Sequence, residues 1–124
     1  MKKTKMMKKN FEFKKVLSNG KYFSGKYIEV FIKKNNRLCN FLGIAISVKL
    51  AKAVKRNHIK RLIRENYRLI EGNIKTGYSM VFLWKKKADI ENATFEKIKS
   101  DIKYIFDKAN ILEENDEKNT YLAD

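Results

Sequence analysis

The sequence predicts an α+β fold in which helices pack on a sheet, with the elements in the order α-β-β-β-α-β-α. Three observations support this prediction. Segments rich in β-branched and aromatic residues alternate with segments whose apolar residues recur at helical spacing. Turn-forming residues, such as Asn19-Gly20, Asn35-Asn36 and Gly72, separate these segments. The 124 residues contain no internal repeat and no linker, so they are expected to form one domain.

The first half of the chain is expected to supply one helix and three strands. Asn10 can cap a short helix over residues 11–18, on which Phe13, Val16 and Leu17 fall on one face. The sequence YIEVFIK has the β-branched and aromatic composition of a strand. The three strands are predicted at residues 21–24, 27–33 and 41–48.

The second half is expected to hold the longest helix, one strand and a final helix. The long helix is predicted over residues 51–71 and ends at Gly72. A strand follows at residues 79–84, and Thr94 can cap the last helix, over residues 95–109. The apolar stripe of the last helix consists of Ile98, Ile102, Ile105 and Phe106.

The ends of the chain differ from the middle in composition. Residues 1–112 are expected to form the single domain, which begins with a basic, mobile arm at residues 1–9. Residues 113–124 are acidic and are expected to be a disordered tail.

Positive charge is the dominant feature of the composition. The chain has 29 basic and 14 acidic residues, and residues 1–110 alone carry a net charge of +19. So large a like charge repels itself, and a polyanionic partner is the usual reason to tolerate it. Two alternatives remain: a solubility charge inflated by lysine, and an anionic membrane. The second is disfavoured because neither terminus has an apolar face beside a basic one.

Apolar runs and cysteine content bear on the cellular compartment. The longest apolar run, at residues 41–46, is far shorter than a membrane span, and the lysine-rich start lacks the apolar stretch of a signal peptide. One cysteine, Cys39, excludes an internal disulfide. We therefore expect a cytoplasmic protein that does not associate with membranes.

The long central helix sorts into two faces at 100° per residue. Its apolar face, expected to pack on the sheet, consists of Ile59, Leu62, Ile63, Tyr67 and Ile70. Its polar face consists of Asn57, Lys60, Arg61, Arg64 and Arg68. Arginine binds phosphate oxygens through two parallel hydrogen bonds. A helix face whose charges are all positive therefore indicates contact with nucleic acid.

Residues 53–65, AVKRNHIKRLIRE, resemble the signature helix of the bacterial ribonuclease P protein subunit, whose pattern is close to A-V-x-R-N-R-x-K-R-x-x-R-E. The preceding GIAISVK is similar to that family's strand, and F-x-F-K-K-V with Gly20 is similar to its first helix. The resemblance covers roughly residues 8–110. Two departures are His58, where the family usually has arginine, and Ala51-Lys52, where it favours Gly-Asn.

The resemblance implies a fold like the second domain of ribosomal protein S5, with an unusual left-handed βαβ crossover. It also implies a subunit that joins a catalytic RNA to remove the 5′ leader from precursor tRNA, with no obligate protein partner. The Mg²⁺ ions that carry out hydrolysis would be held mainly by the RNA, and none would be bound tightly by the protein. The residues expected to contact RNA from the signature helix are Lys52, Lys55, Arg56, Asn57, His58, Lys60, Arg61, Arg64 and Arg68.

Aromatic and apolar residues of the first helix and second strand are the candidates for binding the leader. By family position, Phe13, Leu17 and Phe31 map to a leader cleft between the first helix and the sheet. Tyr27 is added because it alternates onto the same strand face as Phe31. Bases can stack on such rings. The alternative is that these side chains belong to the core.

No catalytic residue is expected in this chain. The nearest approach to a metal-binding carboxylate pair, Asp89 and Glu91, lies in a lysine-flanked loop, and His58 has no evident carboxylate neighbour. The rival function is a non-enzymatic ribosomal or assembly protein that binds RNA through the same helix. A DNA-reading helix-turn-helix is more distant, because the long helix leads into a strand.

Overall fold

The structure is a computed structural model that describes residues 1–113 as three α-helices and five strands, joined by short loops and two 3-10 turns. In chain order these are β1 (Thr4–Met6), α1 (Asn10–Asn19), β2 (Lys21–Ser24), β3 (Ile28–Lys34), β4 (Asn40–Ala45), α2 (Ala53–Ile70), β5 (Tyr78–Trp84) and α3 (Phe95–Ala109). The predicted α+β fold class is therefore confirmed, with one strand more than expected.

The strands form one mixed sheet in the order β1-β4-β5-β3-β2. β4 runs parallel to both of its neighbours, β1 and β5, whereas β3 pairs antiparallel with β5 and β2. α2 connects β4 to the adjacent parallel strand β5. The left-handedness of this crossover stays a prediction.

Alternation along the strands separates two apolar clusters, one on each face of the sheet. Ile28, Val30 and Ile32 of β3 are buried in the larger cluster, together with the apolar sides of α2 and α3. On the opposite face, Val81 of β5 and Val16 of α1 belong to a smaller cluster. This second face is therefore covered by α1, a helix of 10 residues.

The first strand corrects the prediction of a basic, mobile arm at residues 1–9. Thr4–Met6 pairs in parallel with β4, and Met7 donates its backbone N–H to the Leu42 carbonyl. Both Thr4 and Met7 are buried. Apolar and small side chains among the lysines let the segment join the sheet while its cations stay in solvent. The predicted acidic tail, from residue 114 onward, lies outside the described residues.

Helix boundaries differ slightly from the predicted ones. Asn10 is the first residue of α1 and not its cap, because Lys9 takes the extended cap position without a side-chain hydrogen bond. α2 begins two residues later than expected, at Ala53. Thr94 caps α3 as predicted, since its hydroxyl accepts the Lys97 N–H at 3.3 Å. None of the helices within residues 1–113 is long and apolar enough to cross a membrane.

Candidate nucleic-acid interface

The two predicted faces of α2 are confirmed by side-chain burial. Ile59, Leu62, Ile63 and Tyr67 are buried in the core, and Ile70 packs against it. None of the residues expected to contact RNA is buried. Lys52, Lys55, Asn57, His58, Arg61 and Arg68 are exposed, whereas Arg56, Lys60 and Arg64 are half-buried. We call these nine residues the basic face of α2.

Carboxylates neutralise little of the basic face. Within residues 1–113 its ion pairs are Lys55–Glu91 at 3.5 Å and Arg61–Glu65 at 3.6 Å, both largely exposed to solvent. Pairs of this kind contribute ~0–1 kcal/mol and exchange readily for another anion. The first turn of α2 has no acidic residue, so lysines and the positive end of the helix dipole lie together there. This end of the helix attracts phosphate groups.

Arg56 helps to shape the loop that precedes α2. Its guanidinium donates a hydrogen bond to the Ala51 carbonyl at 2.7 Å, and its backbone N–H donates to the Lys52 carbonyl at 3.0 Å. Both bonds end on carbonyl groups, so neither replaces the side-chain cap that Lys52 does not provide for the first N–H groups of α2. Arg56 therefore holds the loop in position, and its remaining N–H groups are available to a ligand.

His58 lines a small cleft at the N-terminal end of α2. His58 and Glu91 line a small cleft of about 200 Å³ between α2 and the loop before α3. The fold brings Glu91, 33 positions further along the chain, to the wall of this cleft, and no ion pair of residues 1–113 joins it to His58. Glu91 already pairs with Lys55 in this cleft, and the imidazole is exposed to solvent.

Three of the four residues proposed for the leader lie on the face of the sheet that α1 covers. Phe13 and Phe31 are half-buried against the smaller apolar cluster, and Leu17 is 37% exposed. The Phe13 ring lies directly on the backbone of Gly43, where a Cβ atom would stand 2.6 Å from it. Gly43 therefore allows α1 to approach the sheet closely.

Tyr22 extends this surface and was missed by the sequence analysis. β2 pairs with β3 so that Tyr22 lies opposite Phe31, with ring centroids 5.2 Å apart. Tyr22 is 48% exposed, and its hydroxyl donates a hydrogen bond to Glu29, which raises the pKa of the phenol. The sequence signal that could have found Tyr22 is the antiparallel pairing expected of two consecutive strands, which places residues of β2 opposite residues of β3. We call Phe13, Leu17, Tyr22 and Phe31 the aromatic trough.

Tyr27 does not belong to this trough, which corrects the prediction. Its ring stacks on Trp84 at 6.0 Å, on the side of the larger cluster, and Lys97 of α3 lies over it. The prediction assumed that side chains alternate between the two faces of the sheet from Tyr27 onward. That alternation does not include Tyr27, because β3 begins only at Ile28. Tyr27 lies in the preceding turn.

Asp101 of α3 fixes that turn. Its buried carboxylate accepts hydrogen bonds from the backbone N–H groups of Lys26, Tyr27 and Ile28, at 2.7, 2.7 and 2.9 Å. Gly25 lies so close to this carboxylate that a side chain there would collide with it. Asp101 thus orients the start of β3, and the sequence did not single it out.

Asp89 and Glu91, the candidate metal-binding pair, each have a structural partner. Asp89 accepts the Glu91 N–H at 2.9 Å and caps a 3-10 turn, as expected for a solvated loop. Within residues 1–113, no three His, Cys, Asp or Glu side chains are grouped so that they could hold a metal ion.

Comparisons with known proteins agree with this geometry. A family model described as Ribonuclease P matches residues 1–110. The Ribonuclease P protein component of Clostridioides difficile is 40% identical over 110 residues, covering 88% of this chain and 95% of the relative. That of Caldanaerobacter subterraneus is 36% identical, covering 89% and 93%. The Thermotoga maritima RNase P protein superimposes with a TM-score of 0.75 at 26% identity, covering 84% of this chain and 96% of that one. The Staphylococcus aureus protein gives 0.74 at 27%, covering 86% and 96%.

Proposed function

The chain belongs to the ribonuclease P protein component family, the protein subunit of the endoribonuclease ribonucleoprotein that processes tRNA 5′ ends, and from this membership we propose which surfaces bind which RNA. The basic face of α2 binds the RNA subunit. The aromatic trough binds the 5′ leader of precursor tRNA. The rival function of a ribosomal or assembly protein has no support among these relatives.

The charge of α2 is the observation that carries the first assignment. The side of this 18-residue helix that faces away from the core carries five members of the basic face, Asn57, Lys60, Arg61, Arg64 and Arg68, and the other four lie at its N-terminal end. A fixed scaffold lets like charges stay close together, although i,i+4 repulsion costs an isolated helix a few tenths of a kcal/mol per pair. Bound phosphates would relieve that repulsion and release counterions, which makes such binding strongly dependent on salt.

The aromatic trough supports the second assignment. Its rings and Leu17 are accessible on a sheet face that α1 covers, and Tyr22 is as exposed as a surface side chain. Unpaired bases stack on such rings with little sequence preference, because every base has a π-face. A leader whose sequence differs among precursors requires this tolerance.

The metal ions of the reaction are assigned to the RNA. The protein surface nearest to the bound RNA carries an excess of cations, which repel Mg²⁺ and attract phosphate. Mg²⁺ bound to RNA oxygens would supply the activated water and stabilise the leaving oxygen. The protein then contributes substrate binding and holds no catalytic residue.

Cleavage assays test the assignment of catalysis to the RNA. The purified protein should leave precursor tRNA intact in Mg²⁺, and addition of the RNA subunit should produce cleavage at the mature 5′ end. Metal-dependent cleavage at that position by RNA-free protein would contradict the proposal.

Affinities of single variants for two ligands test the trough. Tyr22→Ala and Phe31→Ala should raise the Kd for leader-bearing precursor by roughly 5- to 150-fold, the loss of one stacked base, and barely change the Kd for mature tRNA. Tyr104→Ala, at an exposed aromatic of α3, is the matched control and should change neither. Equal losses for both ligands, together with a lower Tm, would assign the rings to the core.

A further inference from the structure

A second cleft lies on the other side of α1 from the aromatic trough. It has a volume of about 390 Å³ and opens between α1, the end of β3 and the turn that leads into β4. Met7, Val16 and Phe41 supply apolar lining, and all three belong to or pack against the smaller cluster. A cleft of this size fits a small ligand. We call it the α1–β3 cleft.

Four cationic side chains and one carboxylate line this cleft. Lys15, Lys33, Lys34 and Arg37 line it together with Glu12. None of the four forms an ion pair with a carboxylate of residues 1–113. Their mutual repulsion is relieved by a bound anion, so the cleft favours a ligand that carries negative charge.

Two aromatic rings give the cleft a surface for a flat, apolar group. Phe11 is 64% exposed, and the Lys9 ammonium lies 5.8 Å from its ring centroid. The Arg37 guanidinium lies 5.3 Å from the Phe41 centroid. Rings beside free cations match the two parts of a nucleotide, since the base stacks on a ring and the phosphate binds a cation.

Hydrogen bonds hold the cationic turn in place before any ligand binds. The Asn35 amide donates to the Cys39 carbonyl and the Ser79 hydroxyl, each at 3.2 Å, and its oxygen accepts the Arg37 N–H at 2.8 Å. Both N–H groups and the oxygen of the Asn35 side-chain amide are therefore hydrogen-bonded within the protein. A preformed site loses less conformational entropy on binding.

The α1–β3 cleft is separated from the trough by α1 itself. Val16 is buried against the sheet between the side of the helix that bears Lys15 and the side that bears Leu17. Along β4, the cleft is lined by Phe41, whereas the ring of Phe13 lies on Gly43, two residues further on. A leader strand that occupies the trough therefore does not pass through this cleft.

The cleft is also distant from the start of α2. Phe41 stands near the first residue of β4, and α2 follows the last one. The first and last residues of β4 are five positions apart, which corresponds to about 17 Å in an extended strand. A nucleotide in the cleft is thus a contact beyond those made by the first turns of α2.

We propose that the α1–β3 cleft binds an unpaired nucleotide of the RNA subunit, with its base on an aromatic ring and its phosphate on the surrounding lysines and Arg37. This inference rests on the proposed function, in which the trough is occupied by the leader. It adds a second, separate anchor for the RNA subunit on the opposite face of the sheet from α2.

Affinities of surface variants for the RNA subunit provide the first test. Phe11→Ala should raise the Kd for the RNA subunit by about 5- to 150-fold, and Arg37→Gln should lower the slope of log Kd against log salt by about 1. The ratio of precursor to mature tRNA affinity of the holoenzyme should stay unchanged. Tyr104→Ala is a close control, because Tyr104 is also exposed and has the Lys108 ammonium 5.7 Å from its ring.

Each other outcome points to a different conclusion. An unchanged Kd for the RNA subunit in Phe11→Ala overturns the inference, and if Arg64→Gln still weakens binding, the proposed function stands. A changed precursor-to-mature ratio would assign the cleft to the leader and overturn the inference as well. A loss in Tyr104→Ala equal to that in Phe11→Ala would show a general surface effect.

Photo-cross-linking identifies the RNA strand directly. A benzophenone-bearing amino acid in place of Phe11 should cross-link, in the assembled holoenzyme, to an unpaired position of the RNA subunit. The same group in place of Leu17 should cross-link to the leader of bound precursor. Cross-links from position 11 to the leader alone would contradict the inference.

Discussion

The hydroxyl of Tyr67 lies 2.7 Å from the hydroxyl of Thr4, and this buried contact joins the first strand to the core side of α2. One turn further along the chain, the Glu71 carboxylate accepts the backbone N–H groups of Lys2 and Lys3, at 3.2 and 3.3 Å. The N-terminal segment is thus attached to the helix that carries the basic face.

Stability at high pH should depend on Tyr67. Burial raises the pKa of Tyr67 from 10.0 to about 12, so the unfolded chain loses this proton before the folded one does. The folded state binds more protons between these values, and stability should therefore fall by ~3 kcal/mol as the pH rises from about 10 to about 12. Tyr67→Phe removes this titration. Urea denaturation at several pH values should show a smaller decline for Tyr67→Phe than for the parent.

Asp101→Asn should destabilise the fold without changing RNA affinity. The amide retains one oxygen acceptor but places an NH₂ group against backbone N–H groups that the carboxylate now satisfies. We expect a loss of ~2–3 kcal/mol, since hydrogen bonds to charged groups are the stronger ones. Thermal melting measures the loss, and Asp107→Asn, exposed on the same helix, is the control. A Tm equal to that of the control would mean that the three hydrogen bonds contribute little.

Salt dependence should report the contacts of the basic face. With ~6–10 phosphates bound, affinity for the RNA subunit should fall ~10³–10⁵-fold between 50 and 200 mM salt. Arg64→Gln should reduce the slope by about 1 because Arg64 is not engaged by a carboxylate of residues 1–113. Lys103→Gln, exposed on α3, should leave the slope unchanged. A nearly flat dependence in the parent protein would remove the electrostatic argument.

His58→Arg should hold or improve affinity for the RNA subunit. An arginine at this exposed position presents a charged guanidinium with five N–H donors, whereas an imidazole offers at most two N–H donors. Glu91 lies in the same cleft but already pairs with Lys55. Titration of each protein with the RNA subunit measures the effect. A marked loss in the variant would indicate that the imidazole makes a specific contact.

Local periodicity was sufficient to predict most elements and the sides of the helices. The spacing of apolar residues in α2 placed Ile59, Leu62 and Ile63 in the core and left the cations outside, as observed. The limits of α3 and the cap at Thr94 were also readable, because a cap and a helical stripe involve residues at most four positions apart. The signature motif of residues 53–65 is also a local pattern, so the resemblance to the family was readable from the sequence.

The tertiary structure alone decided the features that depend on distant residues. Tyr27 turns to the larger cluster because Asp101, 74 residues further along the chain, binds its backbone N–H. The N-terminal segment becomes a strand because β4 and Tyr67 offer it partners. The α1–β3 cleft exists because α1, the end of β3 and the turn that leads into β4 meet at one end of the sheet. A one-dimensional pattern records which side a residue faces within its own element, whereas the neighbour it meets there is fixed only when the elements pack.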